Sequence, residues 1–194
     1  MIKNRDYFLN NALYTAKNIL GDILVLKKDN FVFEFKIVET EAYCGIKDKA
    51  CHSYEGKKTK RNLSMYKSGG HIYVYMIYGM YYCMNIVCSK ENDPQAVLIR
   101  GVEPLNHLDF LKRIRNVKKT KDISNGPGKL CMAYKIDKSF DGYDLLDSKD
   151  LYLRRGNKAF EVVESKRINI DYSEEFKDKL WRFYIKDNEF VSKK

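Results

Sequence analysis

The chain has 194 residues, 44% hydrophobic and 13% aromatic, enough apolar material for one folded domain with a real core, which excludes a disordered segment. Its 36 Lys and Arg against 26 Asp and Glu leave a formal charge of +10, a balance that favours a polyanionic partner or simply aids solubility. Five cysteines without C-x-x-C spacing signal neither a disulfide framework nor a zinc site, and the absence of a signal peptide or a long apolar run makes a cytoplasmic location the expectation.

Residues 11–20 read as a short helix stopped by Gly21. Residues 22–27 and 31–40 read as two strands joined by a turn that ends in Asp29-Asn30. Residues 44–71 form a long basic loop, with seven Lys or Arg against two acids and a short helix near 61–67. A loop of that length inside a compact chain is usually functional or disordered. HIYVYMIYGMYYCMNIVCS (71–89) is the densest strand signal in the chain. It is broken at Tyr78-Gly79-Met80, where Gly79 supplies the positive φ of a hairpin turn. Residues 95–102 are a further strand, and 106–117 a helix that runs into the basic stretch 112–121, with six Lys or Arg and no acid. Asn125-Gly-Pro-Gly-Lys129 opens a short helix over 129–135. Short strands and turns fill 150–191, Trp181-Arg-Phe-Tyr-Ile-Lys186 being the clearest strand among them. Without βαβ regularity, the expected class is α+β with a mainly antiparallel sheet, as a single domain over residues 1–194.

Several residue types in these elements carry chemistry. Strand alternation puts Glu39, Glu41 and Tyr43 on one face, either a solvated face or the lining of a site where a carboxylate takes a proton from water. Tyr73 and Tyr75 share a face while Tyr78 stands beside the turn, and their rings either pack across strands or stack on bases. His52 in the basic loop is a surface residue or a hydrogen-bond donor to substrate. Asn85 and Arg100 fall on adjacent strands, and Arg100 is placed to pair with Glu41 or with a phosphate. The NGPGK run lacks the spacing of a nucleotide-triphosphate loop. The helix it opens either binds a DNA phosphate through its N-terminus or is plain turn chemistry.

In order and spacing, VETEAYCG, DKACHS, TKRN, YVYMIYGMYYCMNI, VLIRGVEPL, NGPGKL and RFYI resemble the 3-methyladenine (alkyladenine) DNA glycosylase family over roughly residues 8–191. The resemblance implies a curved sheet flanked by helices, with a β-hairpin that inserts into duplex DNA. It implies Glu41 as the base that activates water, Arg100 as its partner, and the Ile168 carbonyl as a further contact to that water. Tyr43 and Tyr75 would sandwich an everted purine, His52 would offer a hydrogen bond, and Asn85 would reject guanine. Tyr78 would be the wedge in the duplex, flanked by Met80 and Tyr81, and Lys129 would contact DNA. The implied enzyme is a monofunctional hydrolase that leaves an abasic site. It uses no metal or other cofactor, binds duplex DNA bearing damaged purines and works as a monomer.

Overall fold

The computed structural model describes residues 1–193. Eight strands and three α-helices follow in order: α1 (Ala12–Asn18), β1 (Ile23–Lys28), β2 (Phe31–Tyr43), β3 (Ile72–Ile77), β4 (Tyr81–Cys88), β5 (Gln95–Pro104), α2 (Leu108–Arg115), α3 (Pro127–Tyr134), β6 (Leu151–Arg154), β7 (Val162–Ser165) and β8 (Arg182–Ile185). The strands form one curled antiparallel sheet in the order β3-β4-β5-β2-β1-β6, with β8 joined to β2 and β7 to β8. The α+β class expected from the residues is what the chain adopts.

Local chemistry sets the boundaries. Asn11 caps α1 by accepting from the Tyr14 amide at 2.9 Å, one of the donors a helix start leaves unpaired. The β1–β2 turn places Asp29 and Asn30 at φ 51° and 64°, the paired left-handed conformation that a two-residue hairpin needs and that Asn and Asp tolerate. The expected helix over 106–117 is shorter, because His107 and Asn116 both turn left-handed and close it at each end. The helix expected over 129–135 instead starts at Pro127, since proline's fixed φ suits the first helical position. Residues 61–67 make only a 3-10 run, Leu63–Tyr66, and the stretch expected as strands and turns after 150 includes a kinked 3-10 run, Asp171–Asp178.

The sheet has two working faces. On one, Phe35, Ile37, Val74, Met84, Ile86, Val97 and Ile99 join the main core beneath α1 and α3. The Phe35 ring stacks on Tyr134 of α3 at 4.0 Å. On the other, residues of opposite parity on β3, β4 and β5, namely Tyr73, Val87 and Ala96, form a second cluster with Cys51 and Met65 from the basic loop, and Tyr43 and Tyr75 pack against it. The strand period of two therefore sorts the same strands into a core side and a side that carries the polar candidates. Between Ile37 and Thr40 the β2–β5 register slips, a bulge of the kind that bends a strand and re-aims its side chains.

The long basic loop is ordered by one buried residue. Asn62, 2% exposed, donates to the carbonyls of His52 and Lys57, and its Oδ1 accepts from the Thr59 amide at 2.7 Å. This ties both arms of the loop to a single side chain and leaves Lys57, Lys58 and Lys60 exposed around it.

Candidate active site

A cleft of 290 Å³ opens on the polar side of the sheet. Its lining includes Tyr43, His52, Tyr75, Asn85, Arg100 and Ile168, all expected site residues, together with Tyr78 at the rim. Strands β2, β3, β4 and β5 deliver the first five except His52, which the basic loop brings in. Asn85 stands directly opposite both Tyr73 and Leu98 in register.

Glu41 lies immediately behind the cleft floor and is fully buried. Its carboxylate touches three residues of the lining: Oε1 accepts from the Ile168 amide at 2.7 Å and faces Arg100 Nη1 at 3.3 Å, and Oε2 accepts from the Tyr43 hydroxyl at 3.0 Å. At Ile168 the contact to Glu41 runs through the amide N–H, so this residue also orients the carboxylate, a role separate from the carbonyl contact expected of it. Burial, then the charge of Glu41, push the Tyr43 phenol well above its ordinary value, so it stays protonated and donates.

Glu39 is also fully buried, so neither carboxylate lies on a solvated face. The two differ in the partners they face. An ionised carboxylate offers about four lone-pair sites. Glu39 meets four donors, three on Oε1 (Arg100 Nε at 3.2 Å, Arg182 Nη1 at 2.8 Å and the Ser192 hydroxyl at 2.9 Å) and one on Oε2 (the Ser192 amide at 2.6 Å), and of these only Arg100 also lines the cleft. Glu41 has three contacts, two on Oε1 and one on Oε2. Its Oε2 therefore keeps an acceptor site on the side of Tyr43.

The aromatic walls are held from behind. The Arg167 guanidinium lies 4.8 Å from the Tyr43 ring and 5.0 Å from Trp181. Its charge is met by Asp48 through two bonds of 2.6 and 2.9 Å, both side chains fully buried. Tyr75 has His52 edge-on at 4.5 Å and the Arg61 guanidinium at 5.5 Å. His52 Nδ1 is 2.9 Å from the Tyr73 hydroxyl. The residue as a whole is solvent-exposed, and desolvation of its ring where it meets Tyr73 and Tyr75, with a smaller contribution from Arg61, lowers the imidazole to about 4, so the ring is neutral at pH 7. Asn85, 3% exposed, donates to the Tyr73 carbonyl at 3.0 Å, which leaves its Oδ1 free to act toward the cleft.

Beside the cleft stands the β3–β4 hairpin. Gly79 has the expected positive φ of 68°, and Tyr78 itself adopts φ 51°. The Tyr78 ring is 78% exposed and Met80 66%, an arrangement of apolar surface that solvent alone does not favour. Tyr81 sits one step below the tip, half buried against Gly128 of α3. Lys129, exposed in the first turn of α3, reaches Asn125 Oδ1 at 2.8 Å. Two parts of the site carried no local sequence signal: the Arg167–Asp48 pair and Tyr172, a 68% exposed ring in the cleft lining.

The sequence matches the family model described as Methylpurine-DNA glycosylase over residues 6–189. Among curated proteins, three that carry the name "Putative 3-methyladenine DNA glycosylase" are similar over nearly their whole length. The one from Clostridium novyi is 50% identical over 98% of each chain. That from Borreliella burgdorferi is 50% identical over 98% of this chain and all of its own. That from Natranaerobius thermophilus is 49% identical over 96% of each chain.

Proposed function

The chain belongs to the methylpurine-DNA glycosylase family, and on that premise we propose that it everts alkylated purines of the 3-methyladenine and 7-methylguanine type from duplex DNA and hydrolyses their N-glycosidic bond with a water activated by Glu41. As a DNA glycosylase for alkylated bases it serves DNA repair. The observation that carries the finer reading is a buried carboxylate, Glu41, whose three partners all line an aromatic cleft and whose Oε2 has a single donor, the Tyr43 hydroxyl.

A base must leave the stack before its bond to sugar is accessible, at a cost of a few kcal/mol that is smaller for a damaged base. Tyr78, exposed on its rigid turn, fills the vacancy in the duplex. The everted purine enters between Tyr43 and Tyr75. Stacking contributes about 1–3 kcal/mol, and a base made cationic by N3 or N7 alkylation gains about 0.5–2 kcal/mol more from the ring faces. Tyr73 donates its hydroxyl proton to His52 Nδ1, so Nε2 presents N–H to the substrate. The Asn85 carboxamide disfavours the amino group of guanine.

The attacking water donates to the open site on Glu41 Oε2, which a small displacement of Tyr43 uncovers. As the glycosidic bond breaks, its electron pair neutralises the departing cationic purine. The sugar becomes oxocarbenium-like, and the Glu41 charge stabilises it. Water oxygen bonds to C1′ and its proton passes to Glu41. No lysine amine enters this scheme, so the product is an abasic site with the strand intact. The protein works on duplex DNA as a monomer in the cytoplasm, at the nucleoid if the cell is bacterial. Among the described residues, no helix is long and apolar enough to cross a membrane.

Incubation with alkylated duplex DNA in the presence of EDTA tests this reading. Chromatography should show free alkylated purine, and strands should break only after the abasic sites are treated with alkali. Strand cleavage without base release, or binding without release, would refute it.

A further inference from the structure

The Arg100 guanidinium is a three-way junction. Nη1 faces Glu41, Nε donates to Glu39, and Nη2 donates to the Ser192 hydroxyl at 3.3 Å. Glu39 does not line the cleft, and apart from Arg100 its donors come from Arg182 and Ser192, which do not line it either, so it is not placed to meet substrate. Yet it is buried between two arginines, and one of those touches the catalytic carboxylate. Its outer pair of donors comes from a segment remote from the cleft. Phe190 and Val191 are buried, and the Lys193 carbonyl accepts from Arg182 Nη1 at 2.7 Å. At Gly101 on β5, a methyl group would lie 2.7 Å from the Phe190 carbonyl oxygen, so this segment is seated directly on the strand that carries Arg100.

We propose that Glu39 is a positioning residue for base excision, and that residues 190–193 are part of the positioning machinery through Ser192. Glu39 fixes the Nε edge of Arg100, Ser192 fixes the Nη2 edge, and the planar fork then has one orientation in which Nη1 meets Glu41 Oε1. An arginine fork is rigid, so two held edges determine the third. Glu39 also balances charge: with Arg182 it leaves the Arg100–Glu41 pair flanked by a neutral pair, so Arg100 is not drawn off Glu41 toward a DNA phosphate. This proposal rests on the assignment of Glu41 as the activating base.

The test compares Glu39→Gln, Glu39→Asp, Ser192→Ala and a chain ending at Val191 with the parent and with Glu41→Gln. Single-turnover excision from alkylated duplex and affinity for an abasic-site duplex are measured on each. A displacement near 1 Å in a reacting group costs on the order of 100-fold in rate. The expected result for Glu39→Gln is a loss of that order with affinity unchanged, partly restored in Glu39→Asp. The chain ending at Val191 should lose rate in the same way, and Ser192→Ala less. If Glu39→Gln does not fold, the chain ending at Val191, which keeps the Glu39–Arg100 contact, decides alone. Excision at the parent rate in a folded Glu39→Gln protein, or in that shorter chain, overturns the proposal, as does a rate loss matched by an equal loss of affinity. Full activity in Glu41→Gln would instead overturn the function proposed above, so the two failures are separable.

Discussion

At the scale of single residues, the site works by controlling which partners each polar group meets. Glu41 is held by three residues of the cleft lining while Glu39 turns to Arg182 and Ser192, and His52 is held neutral against Tyr73. The His52 midpoint, followed by NMR of the imidazole carbons, should fall near pH 4 and not near the 6.5 of a free histidine. The folded chain resists a proton that the unfolded chain accepts near 6.5, so this residue adds stability above that pH and loses it as the pH falls toward 4. A midpoint near 6.5 would show that the contacts with Tyr73 and Tyr75 do not desolvate the ring. Arg167→Met should strand the Asp48 charge in the interior and lower the unfolding free energy by about 3–5 kcal/mol, read by denaturant titration. An unchanged midpoint would mean that the pair is not buried in solution. Strand alternation made Glu41 with Tyr43, and Tyr73 with Tyr75, legible as pairs that share a face, whereas Asn85 and Arg100 were legible as site residues only through the family pattern. Arg167 with Asp48 and Glu39 with Ser192 were not, because their partners lie 119 and 153 residues apart and no local period links such positions.

At the scale of elements, the β3–β4 hairpin and the basic loop supply opposite kinds of surface to the same cleft. The hairpin was legible from Tyr78-Gly79 between apolar runs, although the left-handed φ of Tyr78 was not, since a bulky residue seldom adopts it. That conformation holds the ring out from the turn. Tyr78→Ser should therefore slow excision strongly for a damaged base in a stable pair and much less for the same base in a mismatch, where eversion costs less. Equal rates for the two proteins on the paired substrate would remove the wedge. The order of the basic loop was not readable in advance, because it depends on Asn62, a polar side chain whose burial against the His52 and Lys57 carbonyls is set by tertiary structure.

At the scale of the whole molecule, the formal charge of +10 acts through exposed lysines of the basic loop and of the stretch after α2, including Lys118 and Lys119. Binding to duplex DNA should weaken linearly in a plot of log affinity against log salt, with a slope near −0.9 per phosphate contact. Neutralising Lys118 and Lys119 together should make that slope shallower by about 2 while leaving the single-turnover rate at saturation unchanged. A slope that does not move would place the DNA elsewhere on the surface. The antiparallel α+β architecture was legible because hairpin turns and alternating strands are local signals. The closure of the sheet through β8 onto β2, which brings Arg182 to Glu39, is a long-range pairing that no segment announces.

The most direct measurement is single-turnover excision by Glu41→Gln on alkylated duplex DNA, taken with its affinity for that duplex. The amide keeps the shape and most of the contacts but cannot take the proton from water. The rate should fall by about 10²–10⁴-fold, the range general-base catalysis supplies, with affinity within a few-fold of the parent. Excision at the parent rate by a folded, DNA-bound Glu41→Gln protein would contradict the account.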